Sequence, residues 1–374
     1  MILVSAVPRV NSDSGPSGEI VSRMSGITIR DVAEAAGVSL ASVSRALNGG
    51  KNVSARVARD VAAAADRLGY QPDFLARSLR TRTSGMVGCL VSDISNPLNA
   101  TIVKAAEARL REAGYLLVVA STANDPGRER AAASEFRGRR VDGMLVAPGS
   151  DANAKAWRAL VAAGTPVVIV DRDVPEADDG ADNDTDGWPS VQVDHRGGAR
   201  AATRYLIGLG HRRIALLTAD AVMRPSRERI AGFREVFAEA GLDPTGAQLC
   251  LQSSAMDFAH GDTLALLGDG KDGGRPTAII ALGTRILAGV LRAARDLGLA
   301  VPRDLSVMSV GDTDLAAVHT PAITALRWSL EDVGRAAADL LLHRLGGDAG
   351  QAQSRALLPV DLVLRDSCAP PAVV

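Results

Sequence analysis

Short apolar runs alternate with longer stretches of helical pattern, rich in Ala, Leu and Arg, between residues 85 and 368. Nine runs share this character: MVGCLVSD, YLLVVAS, DGMLVAP, PVVIVD, VQVD, RIALLTA, LCLQ, TAIIAL and LSVMSV. A short apolar run that is separated from the next by a helical stretch is typical of a buried strand in a parallel sheet. The region spans about 285 residues, more than one open sheet usually needs, so we predict an α/β core of two lobes with parallel sheets.

Residues 27–69 carry a different pattern, made of three short helices with start and stop signals. A residue able to cap precedes each helix and a glycine follows it, in the pairs Thr28 with Gly37, Ser39 with Gly49, and Ser54 with Gly69. Two short helices around a glycine-containing turn predict an all-α helix-turn-helix, whose second helix, Leu40–Leu47, enters the major groove of DNA. The third helix completes a small core.

The two faces of the predicted helices differ in chemistry. Apolar residues at helical spacing form one face and would pack together, namely Val32, Ala33, Ala36, Val38, Val43 and Leu47. The side chains left to point outward are Ser39, Leu40, Ala41, Ser42 and Arg45. Small and hydroxylic side chains let a helix lie close to base edges, and Arg45 can make a bidentate contact to guanine.

The charge of this region favours DNA binding over the alternative of a three-helix docking or solubility module. Residues 27–82 contain nine Lys or Arg and five Asp or Glu, whereas the whole chain has a net charge of −1. A locally basic segment in a neutral protein is typical of phosphate contact. Residues 1–26 are rich in Ser, Gly and Pro, which predicts a disordered N-terminal extension.

Sequence motifs of catalysis, metal binding and membrane insertion are missing. There is no HExxH, Walker A or GxSxG motif, and the five histidines have no metal-ligand spacing, so we expect no enzyme, metal or cofactor. The three cysteines are odd in number and far apart, which favours reduced thiols. No apolar run approaches a membrane span, and the apolar residues 2–7 are too few for a signal peptide, which predicts a cytoplasmic protein.

Two stretches resemble a known family. The sequence DVAEAAGVSLASVSRALNG, followed by VSARVARDVAAAADRLGYQPDFLARSLR, is similar to the headpiece of the lactose-repressor (LacI/GalR) family of bacterial transcription regulators. The resemblance continues to about Ser367. It implies a DNA-binding domain over residues 27–72, a hinge helix and linker over 73–84, and an effector-binding, dimerising core over 85–370 with a periplasmic-binding-protein-like fold.

The resemblance also implies how the chain is divided between the two lobes. Lobe 1 would hold residues of about 85–191 and 328–356, and lobe 2 residues of about 192–327 and 357–368. The chain would thus pass between the lobes three times, near Val191–Asp194, Leu326–Ser329 and Leu357–Val360.

In that family the hinge becomes helical only on the operator, and a leucine from each hinge of a dimer wedges into the central base step of the minor groove. The matching residue is Leu79, flanked by Ala76 and Arg77 and followed by Arg80, which would lie near phosphates. Inserting an apolar side chain costs a few kcal/mol of unstacking, which the bend and the added contacts offset. A leucine packed on the next domain is the alternative. The other predicted DNA contacts are Thr28, Ser39, Leu40, Ala41, Ser42, Arg45, Asn48 and Ser54.

Ligands of parallel α/β sheets bind at the carboxyl ends of strands, so we expect an effector in the cleft between the lobes. By the resemblance, the positions that face this cleft are Leu98, Asn99, Asp171, Arg172, Met223, Arg229, Met256, Thr284, Gly311 and Trp328. Several differ from the usual family pattern, which has two aromatics at Leu98-Asn99, an Asn-Asp pair at Gly283-Thr284 and a sugar-binding aspartate at Gly311.

These departures bear on the identity of the effector. Arg229 and Arg172 could hold a carboxylate, a phosphate or a hydroxyl, and Trp328 could stack on a flat ligand. The alternatives are that Arg229 pairs with a carboxylate at the lobe surface and that Trp328 packs between the lobes. Thr284 and Gly311 replace polar residues of the family pattern, which makes a simple hexose or pentose less favoured as the effector. The choice stays open among a sugar, an anionic metabolite, an aromatic metabolite and no effector at all.

The leading hypothesis is a dimeric transcription regulator, a repressor, that binds double-stranded operator DNA and is controlled by a small molecule through a population shift. A homodimer is expected because no leucine heptads follow Pro370. An effector-independent regulator of the same family is the main alternative. A solute-binding protein would need a signal peptide and no DNA-binding head, and a doubly wound enzyme would need catalytic residues at its strand ends, so the sequence speaks against both.

Overall fold

The computed structural model describes residues 27–47, 53–70, 83–149, 154–173, 188–268, 274–347 and 355–372. Contacts divide the chain into two compact units, Met1–Arg82 and Thr83–Val374. Each unit has its own hydrophobic core.

The first unit is a three-helix domain. Helices α1 (Ile29–Ala36), α2 (Leu40–Leu47) and α3 (Ala55–Leu68) have the boundaries that the sequence predicts. Gly37 and Gly69 end α1 and α3 with φ of 64° each, in the left-handed region that glycine enters without strain. The buried members of the core are Val32, Ala33, Val43, Val61, Ala64 and Ala65.

The second unit is built on two six-stranded sheets. Its strands are β1 (Met86–Val91), β2 (Leu116–Ser121), β3 (Gly143–Val146), β4 (Val167–Val170), β5 (Ser190–Val193), β6 (Ile214–Ala219), β7 (Ala247–Gln252), β8 (Ala278–Leu282), β9 (Ser306–Val310), β10 (Thr324–Arg327), β11 (Arg355–Leu358) and β12 (Asp361–Val363). The first sheet has the order β11-β5-β4-β3-β1-β2, and the second has the order β12-β10-β9-β8-β6-β7. Among the described strands, β12 alone runs antiparallel to its neighbour, β10. The nine predicted apolar runs supply β1 to β9, which confirms the two parallel sheets.

Helices connect the strands and cover the sheets. They are α4 (Pro97–Glu112), α5 (Pro126–Gly138), α6 (Ala154–Ala162), α7 (His195–Gly208), α8 (Arg224–Glu239), α9 (His260–Gly268), α10 (Gly283–Asp296), α11 (Asp314–Val318) and α12 (Leu330–Leu345). Parallel strands require crossover connections of this kind. In the part of the chain that the structure describes, no helix combines the length and the apolar character that a membrane crossing needs.

The chain passes between the two sheets three times, so each sheet with its helices forms one lobe, lobe 1 and lobe 2 respectively. The chain leaves the first sheet after β5, returns after β10 to form α12 and β11, and joins the second sheet again at β12. Strands β5 and β11 continue to Val193 and Leu358, so the first sheet reaches slightly beyond residues 191 and 356, where the family resemblance divided the lobes. Trp328 lies at the second passage and packs against the cores of both lobes.

Candidate functional site

Helix α2 presents small and polar side chains to solvent. Ser39, Leu40, Ala41 and Arg45 are exposed, and Leu40 is 45% exposed although it is apolar. The Ser42 amide donates to the Ser39 hydroxyl oxygen at 3.2 Å. The Arg45 Nε–H donates to the Ala41 carbonyl at 3.2 Å, and no described residue accepts a hydrogen bond from its Nη atoms. These Nη donors can therefore reach a base edge or a phosphate.

Thr28 and Ser54, two further predicted DNA contacts, cap helices. The Thr28 amide and hydroxyl donate to the Asp31 carboxylate at 2.6 and 2.8 Å, and these bonds hold the pKa of Asp31 below its ordinary value. The Ser54 hydroxyl oxygen accepts from the Val57 amide at 3.3 Å. Capping accounts for both residues, and their contact with DNA stays a prediction. The remaining predicted contacts lie outside the described residues: Asn48, Ala76, Arg77, Leu79 and Arg80.

The two lobes meet at a hydrogen-bonded cluster around Asp171, the residue that follows strand β4. Its carboxylate accepts from the Val193 amide at 3.2 Å, from the His195 ring at 2.8 Å and from Arg224 Nη1 at 3.5 Å. His195 begins α7 and Arg224 begins α8, so two helices of lobe 2 hold one carboxylate of lobe 1. Burial alone would raise the pKa of Asp171, but His195 and the nearby arginines hold it below its ordinary value. We call Asp171, Arg172, His195, Arg224 and Arg229 the Asp171 cluster.

The neighbours of His195 fix its protonation state. Asp171 Oδ2 lies 2.8 Å from Nε2, and Arg229 Nη2 lies 3.1 Å from Nδ1. A carboxylate only accepts and a guanidinium only donates, so the ring carries its hydrogen on Nε2 and leaves Nδ1 as an acceptor, which is the neutral form. Burial, together with repulsion by Arg229 and Arg224, outweighs the attraction of Asp171 and lowers the pKa of His195 to about 4.

Arg229 and Arg172 are cations held inside this cluster. Arg229 is 5% exposed, and burial lowers its pKa to about 10 against the attraction of Asp171, which leaves it cationic at neutral pH. Arg172 donates through Nη1 to the Asp171 carbonyl at 2.8 Å. The Nε–H groups of Arg172 and Arg229 are buried and have no hydrogen-bond partner among the described residues. Buried donors are almost always paired in folded proteins, and Arg172 lines both cavities described below, so its Nε–H is a candidate to bind an acceptor from outside the chain.

Two cavities lie at the cluster and share Arg172. The larger, of about 50 Å³, is in lobe 1, and the polar residues of its lining are Asn99, Asp171 and Arg172. The rest of its lining is apolar and includes Cys89, Ile102, Leu145 and Val170. Burial raises the pKa of Cys89 to about 12, so the thiol stays protonated. The smaller cavity, of about 10 Å³, lies between the lobes, and its lining includes Arg172, Asp173, Met223, Arg224 and Arg227.

Six of the ten predicted cleft residues, Asp171 among them, come together in or around the cluster. Asn99 and Arg172 line the larger cavity, and Met223 joins Arg172 in the smaller one. Arg229 is buried against His195 and does not pair with a carboxylate at the lobe surface. The Trp328 ring meets the His195 ring edge-on, with centroids 5.4 Å apart and an interplanar angle of 88°. Its contacts with both cores favour packing between the lobes over stacking on a ligand.

For Leu98, Met256 and Gly311, no hydrogen bond between described residues reaches the cluster. The Leu98 amide donates to Asn96 Oδ1 at 3.1 Å, and the Met256 carbonyl accepts from Arg285 Nε at 2.7 Å. The Gly311 amide donates to the Leu326 carbonyl at 3.0 Å. Thr284 lies in helix α10. Their role in effector binding stays a prediction.

His195 and Arg224 are absent from the residues predicted from the sequence. The signal for His195 is present, because Asp194-His195 directly follows the strand VQV, just as Asp171-Arg172 follows VVIV. The rule that ligands bind at strand ends therefore applies to both pairs. A search for metal-ligand spacing does not identify His195 as a site residue. Within the described ranges, no group of three or more His, Cys, Asp or Glu could hold a metal ion.

A helix-turn-helix unit joined to a two-lobed α/β core, with a polar cluster and cavities at its strand ends, defines a DNA-binding protein with a periplasmic-binding-protein-like core. Two family models match the chain: "Bacterial regulatory proteins, lacI family" over residues 28–73, and "Periplasmic binding protein-like domain" over residues 203–368. The chain belongs to the LacI family of bacterial transcription regulators and is not an enzyme.

Relatives and solved structures cover nearly the whole chain. It is 31% identical over 336 residues to the ribose operon repressor of Escherichia coli (strain K12), covering 89% of this chain and 97% of that protein. It is 32% identical over 347 residues to the HTH-type transcriptional regulator MalR of Streptomyces coelicolor, covering 91% and 96%. The crystal structure of the lac repressor dimer bound to operator and the anti-inducer ONPF matches with a TM-score of 0.77 at 28% identity, over 92% of this chain and 99% of that chain. The family resemblance seen in the sequence is thus confirmed.

Proposed function

We propose that the chain is a homodimeric repressor that binds a pseudo-palindromic operator in the bacterial cytoplasm and is controlled by a small molecule bound between its lobes. The observation that carries the effector site is the Asp171 cluster, in which one carboxylate of lobe 1 is held by two helices of lobe 2. Two arginine donors of the cluster have no partner in the described part of the chain. A ligand that adds to these bonds stabilises one arrangement of the lobes over another. Such differential binding is what shifts a population.

The relatives support repression, dimerisation, operator binding and control by a small molecule. One of them is a repressor of the ribose operon, and one solved neighbour is a dimer bound to operator and an anti-inducer. In the present chain, the exposed side chains of α2 would make the base contacts, with Arg45 as the main donor. The predicted hinge residue Leu79 would wedge into the minor groove.

Selection of operators from random-sequence DNA tests the DNA-binding half. The full-length chain should select pseudo-palindromic sites, and sedimentation should show a dimer. Leu79→Ala should weaken binding to the selected operator far more than binding to random DNA, because only the operator is bent around the wedge. Equal losses on the two DNAs would contradict the wedge, and selected sites without symmetry would contradict binding as a dimer.

A thermal-shift screen followed by operator-binding measurements tests the effector half. A ligand stabilises the fold by RT ln(1+[L]/Kd), which is about 2.7 kcal/mol at about 100-fold excess over Kd, so binders in a panel of sugars, nucleobases and organic acids can be found directly. Each binder is then added to the operator complex, with fluorescence anisotropy as the readout. A binder should change operator affinity. If every binder leaves it unchanged, effector control is wrong and effector-independent regulation takes its place.

A further inference from the structure

We infer that the effector is a small carboxylate with a short apolar substituent. This inference rests on the proposed function, because it names the chemical class of the ligand that the cleft between the lobes would take. Three features of the Asp171 cluster and its cavities, as the described residues form them, lead to that class: an excess of positive charge, two buried donors without an acceptor, and an apolar cavity lined by Arg172.

Among the described residues of the cluster and the smaller cavity, positive charge exceeds negative charge. The arginines that stand there are Arg172, Arg224, Arg227 and Arg229. Against them, Asp171 bonds Arg224, and Asp173 lies 3.4 Å from Arg224 Nε and 2.6 Å from Arg227 Nη2. A third carboxylate, the fully buried Glu129, adds its attraction to Arg172. Because His195 is neutral, these described groups leave one cation in excess, which an anionic ligand would balance.

The buried hydrogen-bonding groups of the Asp171 cluster that have no partner among the described residues are donors. The Nε–H groups of Arg172 and Arg229 are buried and without a partner among the described residues. The carboxylates are already engaged, Asp171 by His195 and Asp173 by Arg227. A sugar hydroxyl donates as well as accepts, so beside these arginines it would compete for carboxylates that already accept hydrogen bonds. A carboxylate only accepts, and it forms the stronger, charge-assisted bond with a guanidinium.

The larger cavity suits carbon rather than hydroxyl groups. Its volume of about 50 Å³ is several times the roughly 10–15 Å³ that one water needs, so it admits a few carbon atoms. The side-chain amide in its lining, Asn99, already donates to the Ser92 hydroxyl oxygen at 3.2 Å and to the Asp93 carbonyl at 2.9 Å. An apolar group gains free energy on entering this cavity, whereas a hydroxyl would give up its hydrogen bonds to water. Arg172 lines both cavities, so the carboxylate and the apolar group can belong to one small molecule.

Calorimetric titration of the full-length chain with matched probes tests the ligand class. The probes are the short carboxylates acetate and butyrate, their neutral amides acetamide and butyramide, and ribose. The carboxylates should bind, and the amides should bind at least about tenfold more weakly because they lack the charge-assisted bond. Arg172→Gln should weaken butyrate binding by about tenfold to 100-fold for the same reason. The matched control is Arg335→Gln, which changes an exposed arginine of α12 paired with Asp332 at 3.2 Å and should leave butyrate binding unchanged.

A second variant, Ile102→Phe, tests the cavity independently of the charge. Ile102 lines the cavity and is half-buried, so the fold should accept a larger ring that fills the space. Butyrate should then bind no better than acetate, while the carboxylate is still bound. A variant that keeps the preference of the parent chain for butyrate would overturn the apolar part of the inference.

The outcomes separate this inference from the proposed function. Amides that bind as tightly as carboxylates would overturn the ligand class, and so would the absence of carboxylate binding at about 10 mM. If ribose changes operator affinity and butyrate does not, effector control stands and the carboxylate inference fails. If butyrate binds through Arg172 but leaves operator affinity unchanged, the carboxylate site stands and its role as the effector site fails.

Discussion

Lowering the pH should decrease the free energy of unfolding of the second unit (Thr83–Val374), because His195 is neutral in the folded chain. The ring lies between Arg229 at Nδ1 and Asp171 at Nε2, and its pKa falls from an ordinary 6.5 to about 4 on folding. The unfolded chain therefore takes up a proton on this ring near pH 6.5, whereas the folded chain takes it up only near pH 4. Between those values the unfolded state holds more protons, so the free energy of unfolding decreases as the pH falls.

The size of the loss follows from the gap between the two pKa values. One pH unit corresponds to about 1.4 kcal/mol, so His195 should account for roughly 3 kcal/mol between pH 6.5 and pH 4. His211 adds a loss in the same direction, because burial lowers its pKa as well. Asp171 does not contribute in this window. Its pKa in the fold lies below the ordinary 3.8, so its stabilisation is lost only as the pH falls further.

Urea unfolding at a series of pH values, from about 4 to about 7.5, measures this slope in the full-length chain. Tryptophan fluorescence reports on the second unit alone, because the three tryptophans of the chain are residues 157, 188 and 328. The matched variant is His195→Gln, since a glutamine amide offers an acceptor to Arg229 and a donor to Asp171 but does not titrate. This variant should lose most of the acid slope. It should keep the part due to His211 and, towards pH 4, the part due to Glu235 and Glu239, because hydrogen bonds from arginines lower the pKa of both carboxyls. If it loses stability as steeply as the parent chain, the neutral ring between Asp171 and Arg229 is wrong.

Three further predictions concern packing and DNA contact. Gly334→Ala should destabilise the second unit by about 3 kcal/mol in urea unfolding, because a Cβ there would lie 2.2 Å from the Ile102 carbonyl oxygen. The control Gly138→Ala, whose Cβ would meet nothing within 4 Å, should be neutral or stabilising by up to about 1 kcal/mol, and similar losses for both would refute the close contact. Ser54→Ala should lower the protection of α3 in hydrogen exchange by about 1 kcal/mol, and unchanged protection would show that the cap is dispensable. Arg45→Ala should cost about 1–3 kcal/mol on the selected operator and much less on random DNA, and an equal cost on both would contradict a base contact.

Most of the fold could be predicted because its elements carry local signals. The caps and glycines around α1 and α3 set their ends within the first unit, and β1 to β9 lie in predominantly apolar runs. Strands β10, β11 and β12 carry no such signal, because they are three or four residues long and only partly apolar. They exist through pairing with β9, β5 and β10, so tertiary contacts rather than local pattern determine them.

The chemistry of the cleft was less predictable than the position of the cleft. Strand ends and the family pattern indicate Asn99, Arg172 and Arg229, but they do not say which groups bond to one another. His195 is 24 residues from Asp171 and 34 residues from Arg229 in sequence, and the packing of two lobes brings them together. Whether an arginine Nε–H has an acceptor depends on that packing. The sequence alone therefore did not decide whether the effector is a sugar or an anion.

The Asp171 cluster has physical features of a ligand site rather than of a stabilising salt-bridge network. Burying a charged group costs several kcal/mol, and pairing it with an opposite charge roughly offsets that cost. The cluster therefore adds little net stability, and the stability of the fold comes from the apolar cores of the lobes. Arg172 and Arg229 are already removed from water in the fold, so an arriving anion meets donors that it does not have to strip of solvent. The free-energy cost of binding the anion is then mainly the desolvation of the anion and its loss of translational and rotational entropy. A neutral amide of the same shape shares part of this cost. Because the charge-assisted bond distinguishes the two ligands, the ratio of carboxylate to amide affinity decides the ligand class even where both probes bind weakly.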